Sequence, residues 1–173
     1  MNNEKIVPLI LCGGKGSRLW PLSRESYSKQ FLHIGKNNDK TLLQNTLERI
    51  SKLENLDKPI LICNEENRFI VAEQIREINI EPKAILLEPY GRGTAPAITI
   101  GALNLLKDEN DHHLLVLPAD HEISCTEEFL KSIKSGLNYS REGKLVTFGV
   151  VPNSPSTAYG YIESKEPLKE NSY

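Results

Sequence analysis

Three glycines and two basic residues lie close together near the start of the chain. The glycines are Gly13, Gly14 and Gly16; Lys15 lies between the last two, and Arg18 follows them. Glycines can expose consecutive backbone N–H groups to an anion, and the two basic side chains add positive charge at the same place. The combination predicts a loop that binds phosphate.

The spacing in this loop disfavours the two commonest phosphate-binding motifs. A Walker A loop needs glycine five residues after its first glycine, and counting from Gly13 that position is Arg18. A dinucleotide fingerprint starting at Gly14 would need glycine at position 19, which is Leu19. A plain tight turn between a strand and a helix remains the structural alternative. The long aperiodic connection 13–38 favours a functional loop.

Two carboxylates directly follow apolar runs of the sequence. Asp120 comes just after residues 113–117, where a hard carboxylate suits Mg²⁺, because this ion takes one or two protein carboxylates and completes its shell with phosphate and water. An Asx turn or a helix cap is the structural alternative for Asp120. Glu88 ends the run 83–87, and its alternative is an exposed acid beside a proline.

These residues sit within a regular alternation of strand and helix patterns. Short apolar runs predict five strands, at 6–12, 59–63, 83–87, 113–117 and 144–148. Helical segments begin near Thr41, Asn64, Gly93 and Thr126. The order predicts an α/β fold with a doubly wound, mostly parallel sheet, right-handed crossovers and helices on both faces. Ligands of such sheets bind beyond the carboxyl ends of the strands, where the glycine loop and both carboxylates lie.

Composition limits the class of protein. The 173 residues are 39% hydrophobic and 25% charged, and 21 basic against 23 acidic residues give a net charge of −2. This balance predicts one globular domain and no nucleic-acid partner, which would need a basic face. No apolar run reaches the roughly 20 residues that span a bilayer, so no membrane partner is expected. Three dispersed cysteines predict reduced thiols and a cytoplasmic location.

Four sequence blocks occur in an order and spacing typical of one family. They are GGKGSRLWPLSR at 13–24 with KQFL at 29–32, EPYGRGTAPA at 88–97, LVLPADH at 115–121, and TFGVVP at 147–152 leading to YGYI at 159–162. The blocks resemble the signature of sugar-nucleotide pyrophosphorylases, and within them most closely that of mannose-1-phosphate guanylyltransferases. The resemblance covers about residues 6–163 and implies a Rossmann-like nucleotidyltransferase fold.

The resemblance also implies a reaction. A phosphate oxygen of mannose 1-phosphate would attack the α-phosphorus of GTP, giving GDP-mannose and pyrophosphate with the help of Mg²⁺. Arg18 would contact the β- and γ-phosphates, and Lys29 the α-phosphate and the sugar phosphate; these two are the expected catalytic residues. Asp120 would hold the metal ion.

The remaining site residues also follow from the resemblance. Glu88 would accept hydrogen bonds from guanine N1–H and N2–H, and Gly160 would leave room for the hexose. The residues expected to bind the nucleotide are Leu11, Gly13, Gly14, Gly16, Ser17, Glu88, Thr94 and Ala95. Two positions depart from the pattern: Gly93 replaces the usual Asn and removes a side-chain contact, and Ser28 replaces a proline, which leaves the backbone before Lys29 less restrained.

The family continues past residue 173, so a C-terminally incomplete catalytic domain is expected over residues 1–173, with a polar tail at 164–173. We expect such a chain to bind GTP with little or no turnover. The alternatives are a nucleotide-binding module without turnover, a sugar-1-phosphate nucleotidyltransferase with another base or sugar, and an α/β interaction domain without a ligand. An open sheet edge would also permit self-association, so a homodimer is a further expectation.

Overall fold

The computed structural model describes residues 4–14, 21–23, 27–34, 39–107, 111–157 and 159–163. The chain forms two compact units, Met1–Lys131 and Ser132–Tyr173. Whether the two act together as one catalytic domain stays a prediction. No helix in the described part of the chain has the length and apolar character that crossing a membrane requires.

The first unit contains a four-stranded, entirely parallel sheet, which confirms the predicted fold class. Its strands are Ile6–Leu11 (β1), Ile60–Asn64 (β2), Ala84–Glu88 (β3) and His113–Pro118 (β4). The α-helices are Leu42–Ile50 (α1), Arg68–Glu77 (α2), Thr94–Leu105 (α3) and Thr126–Arg141 (α4). Two 3-10 helices lie at Lys29–Phe31 and Glu65–Asn67. The helices near Thr41, Gly93 and Thr126 begin where the sequence predicts them, with a full capping box at Thr41. The prediction at Asn64 is wrong in detail: its side chain caps no helix, a 3-10 helix follows it, and α2 begins at Arg68.

The strand order is β3-β2-β1-β4. From β1 the chain moves outward through β2 to β3 and then returns across β1 to form β4. Right-handed crossovers consequently place α1 and α2 on one face of the sheet and α3 on the other. The reversal of direction makes the carboxyl ends of β1 and β4 the topological switch point, which is where such sheets bind ligands.

Alternate side chains of the strands build two apolar layers. Val7 and Leu9 of β1 belong to the layer that packs against α3, together with Ile60 and Ile62 of β2. Gly101 of α3 lies directly against the Leu9 side chain, so the helix approaches the sheet very closely there. The near-continuous apolar strands of the sequence are explained by burial on both faces.

Pro8 lies inside a central strand, where a missing N–H would usually be costly. The N–H groups of Ile6 and Cys12 both donate toward the β2 side, to Asn55 and Ile62 at 2.9 and 2.8 Å. Backbone nitrogens of every second strand residue point to the same side, so the Pro8 nitrogen also points toward β2. However, β2 begins to pair with β1 only at Leu9. The proline therefore removes no bond from the ladder.

The second unit corrects one prediction. The run 144–148 forms no strand: residues 144–151 have no assigned secondary structure, and the Leu145 side chain is exposed. Its Phe148 ring instead lies close to Gly136 of α4, 3.1 Å from where a Cβ would be. The apolar pattern predicted a strand, but a strand also needs a neighbour to hydrogen-bond with, and no described residue provides one here.

Thr46 of α1 provides a test of the packing between helices and sheet. Its hydroxyl is fully buried and has no hydrogen-bond partner among the described residues. Burying an unsatisfied hydroxyl is unfavourable, so Thr46→Val should raise the free energy of unfolding in urea by about 1 kcal/mol. Thr99→Val is the control, because that exposed hydroxyl donates to Ala95 at 2.9 Å and its loss should change little. A lower stability of Thr46→Val would show that the hydroxyl has a partner in solution.

Candidate functional site

The ends of β1 and β4 are joined directly at the switch point. The Ala119 N–H donates to the Leu11 carbonyl at 3.1 Å, so the residues after both strands leave the sheet side by side. Leu11 itself is partly buried and packs against the core beneath the sheet. Its carbonyl therefore helps to join β1 and β4, and its predicted contact with a nucleotide stays a prediction.

Lys29 and Asp120 meet at this edge, although they are far apart in the sequence. The Lys29 ammonium lies 3.7 Å from the Asp120 carboxylate, and the two side chains are 37% and 42% exposed. An ion pair this open adds little stability. The ion pair matters for its position, because one polyanionic ligand could contact both the Lys29 ammonium and the Asp120 carboxylate.

The segment that carries Lys29 is tied to the glycine loop from both sides of the lysine. The Ser28 hydroxyl donates to the Gly14 carbonyl at 2.8 Å, and the Gln30 amide donates to the Cys12 carbonyl at 2.8 Å. The expectation that Ser28 leaves this backbone less restrained is wrong, because its buried hydroxyl supplies a hydrogen bond that proline could not make.

Glu88 lies at the end of β3, against the same loop. A Cβ added to Gly13 would lie 3.5 Å from Glu88 Oε2. The glutamate is only 9% exposed, so the alternative of an exposed acid is wrong. No hydrogen bond or ion pair joins its carboxylate to the described residues. Its carboxylate lies against the Gly13–Gly14 turn at the carboxyl edge of the sheet, which makes it a candidate for contacting a ligand that donates hydrogen bonds.

Two glycines of the site have backbone conformations that side chains rarely adopt. Gly14 has φ +119° and Gly93, which precedes α3, has φ +89° and ψ −176°. The Gly93 conformation is essentially restricted to glycine. A side chain at position 93 would therefore be strained in this backbone conformation. Thr94 and Ala95 form the exposed first turn of α3, which has no side-chain cap and leaves N–H groups free for an acceptor.

The loop that bears Asp120 is held from the α1 side. The Arg49 guanidinium donates to the His121 carbonyl at 3.1 Å and lies over the Phe129 ring. Burial lowers the pKa of Arg49, an effect that Glu122 partly opposes. This contact could not be predicted from the sequence, because an arginine in the last turn of a helix also suits the helix dipole alone.

The two cysteines near the site are structural. Cys12 and Cys63 are buried. Burial, with a smaller effect of Cys63, raises the pKa of Cys12 well above its usual value, and burial and Glu88 raise the pKa of Cys63 to about 11. Both thiols are therefore protonated at neutral pH and unsuited to nucleophilic chemistry.

Some predicted site residues cannot be placed in this geometry. Gly16, Ser17 and Arg18 lie outside the described residues. Gly160 lies in the second unit and is exposed. The roles predicted for these four residues stay predictions.

A family model described as nucleotidyl transferase matches residues 7–171. The chain is 48% identical over 168 residues to a mannose-1-phosphate guanylyltransferase of Klebsiella pneumoniae, covering 97% of this chain and 35% of that protein. It is 51% identical over 158 residues to an enzyme of the same name from Escherichia coli, covering 91% and 33%. The chain thus spans about a third of the length of these curated relatives.

Solved structures show the same architecture. A crystal structure named as mannose-6-phosphate isomerase from Helicobacter pylori has a TM-score of 0.74 and 33% identity, covering 93% of this chain and 57% of that one. A structure named as a glucose-1-phosphate thymidylyltransferase from Bacillus anthracis has a TM-score of 0.57 at 18% identity, covering 76% and 51%. The second likeness concerns the fold alone.

Proposed function

We propose that this chain, which belongs to the nucleotidyl transferase family, forms the nucleotide-binding part of an enzyme that makes GDP-mannose and pyrophosphate from GTP and mannose 1-phosphate. The names of its relatives support this choice of substrates. The observation that carries the proposal is the meeting of Lys29 and Asp120 at the switch point, beside the Gly13–Gly14 turn and the buried Glu88.

The reaction is a displacement at phosphorus. A phosphate oxygen of the sugar phosphate attacks the α-phosphorus of GTP, the bond to the bridging oxygen breaks, and pyrophosphate leaves. Two polyanions must therefore approach each other, and charge must be stabilised on the leaving group. Lys29 supplies positive charge on the α-phosphate and the incoming sugar phosphate, and Arg18 supplies it on the β- and γ-phosphates. The protein contributes positioning and electrostatic stabilisation rather than a covalent intermediate.

The residues present fit Mg²⁺ only together with a nucleotide. No group of three or more acidic, histidine or cysteine residues within the described ranges could hold a metal ion. Asp120 nevertheless offers one partly exposed carboxylate, and Mg²⁺ commonly takes one or two carboxylates and fills its shell with phosphate oxygens and water. Asp120 would hold the ion, which when bound neutralises charge on the phosphates.

The base would be read at the end of β3. Glu88 accepts hydrogen bonds from guanine N1–H and N2–H, which is a physical reason for choosing GTP over ATP. Thr94 and Ala95 offer backbone N–H groups to the nucleotide, and Gly13 and Gly14 let it approach the backbone closely. Gly160 is assigned to the sugar side. Buried, unpaired Cys12 and Cys63 fit a reducing compartment, so a cytoplasmic location is part of the proposal.

A nucleotide panel tests this function. GTP, ATP, CTP and UTP are titrated into the 173-residue chain by calorimetry, each with Mg²⁺. We expect GTP to bind most tightly, and chelation of Mg²⁺ to weaken it. Pyrophosphate release is then followed with GTP and either mannose 1-phosphate or glucose 1-phosphate. Little or no release is expected from this chain, which spans about a third of the length of its relatives, and release that depends on mannose 1-phosphate would exclude a module that only binds nucleotide. Failure of all four nucleotides to bind would refute the proposal.

A further inference from the structure

The turn that carries Lys29 is unusually well anchored for a segment with an exposed functional cation. Its flanking residues Ser28 and Gln30 are only 1% and 3% exposed. Each donates a hydrogen bond to a backbone carbonyl of the glycine loop, Ser28 to Gly14 and Gln30 to Cys12. Lys29, between them, points outward to Asp120.

The residues after Lys29 are anchored to α2 and to the start of α1. Phe31 is fully buried, and its carbonyl accepts from the Gln74 amide of α2 at 3.3 Å. The next carbonyl, of Leu32, accepts from the N–H of Leu42 at 3.2 Å, where α1 begins. The backbone around the lysine is thus fixed to both the glycine loop and the helices, while the ammonium itself stays accessible.

We propose that Ser28 and Gln30 are positioning residues that join Lys29 and the glycine loop into one preorganised phosphate-binding unit. This inference rests on the proposed function. The two carbonyls that accept these hydrogen bonds belong to Cys12 and Gly14, so a shift of these residues would shift the lysine with them. The buried amide and hydroxyl reduce the reorganisation needed when a triphosphate binds between loop and lysine.

A double-mutant cycle separates this role from simple stabilisation of the fold. Affinity for GTP with Mg²⁺ is measured by calorimetry for the unsubstituted chain, Gln30→Met, Lys29→Met and the double variant. If Gln30 acts through Lys29, Gln30→Met should weaken binding about 5- to 20-fold in the unsubstituted chain. With Lys29→Met already present, the same change should weaken binding less than about twofold.

Two further variants complete the experiment. Leu105→Ala is the control for lost stability, because Leu105 of α3 is buried in the apolar core cluster with Val7 and Ile60. It should lower the free energy of unfolding by about 2 kcal/mol, with GTP affinity within about twofold. Ser28→Ala, a smaller change, should reproduce the loss of affinity, and it decides the matter if Gln30→Met does not fold.

The outcomes are distinct. The inference would be overturned if Gln30→Met weakened GTP binding equally in the presence and absence of Lys29. It would also be overturned if the folded variants bound GTP as tightly as the unsubstituted chain. Either result would leave the proposed function intact. Absence of GTP binding by the unsubstituted chain would refute the proposed function and the inference with it.

Discussion

Glu88→Gln is expected to weaken GTP binding by about 1.5–3 kcal/mol, roughly 10- to 150-fold, and to leave ATP binding nearly unchanged. The carboxylate can accept two hydrogen bonds from guanine N1–H and N2–H. The glutamine amide has only one acceptor oxygen, so its N–H₂ group would face one of the guanine N–H donors. Two buried donors would then lie opposite each other. The measurement is the ratio of the dissociation constants of GTP and ATP by calorimetry.

The same variant should be no less stable than the unsubstituted chain, because the buried carboxylate of Glu88 has no partner to lose among the described residues. Glu65→Gln is the matched control: Glu65 follows β2 and is exposed beside Arg68, so its loss should not affect either nucleotide. An unchanged GTP to ATP ratio in a folded Glu88→Gln variant would show that another group reads the base.

Gly101→Val is expected to lower the free energy of unfolding by about 2–3 kcal/mol. A Cβ at Gly101 would lie 2.6 and 2.7 Å from the two Cδ atoms of Leu9, and the Leu9 side chain is completely buried in the sheet core. Either Leu9 must leave its rotamer or α3 must move away from the sheet. Urea unfolding followed by circular dichroism measures the loss.

A compensating substitution tests the cause. Leu9→Ala removes the clashing atoms, so Leu9→Ala combined with Gly101→Val should be less destabilised than the sum of the two single changes. Ala102→Val controls for the β-branched residue itself, since Ala102 is the next residue of α3 and only half-buried. Strict additivity would show that the close approach of helix and sheet is not what Gly101 serves.

Where local chemistry sets the structure, the sequence predictions are confirmed. The capping box at Thr41 and the helix start at Thr94 both appear, because caps and first turns depend on neighbouring residues only. The parallel sheet also follows from local pattern, since apolar runs alternating with helices leave few other topologies. From this the edge of the sheet that carries the glycine loop, Glu88 and Asp120 could be predicted.

The predictions that failed depend on partners distant in the chain. The run 144–148 is apolar enough for a strand, but pairing requires a neighbouring strand that the run itself cannot specify. Ser28 was expected to loosen the backbone, yet its hydroxyl finds the carbonyl of Gly14, 14 residues away. The burial of Glu88 likewise depends on where the loop after β1 lies.

The sequence by itself determined the fold class, the order of the strands and α-helices from β1 to α4, and the chemical types that meet at the carboxyl edge of the sheet. Tertiary structure decided that Lys29 faces Asp120, that Ser28 and Gln30 hold the lysine to Cys12 and Gly14, and that Glu88 is buried against Gly13. The difference has a physical reason: periodicity and capping are interactions of residues a few positions apart, whereas these contacts exist only after the strands have paired and the loops have met.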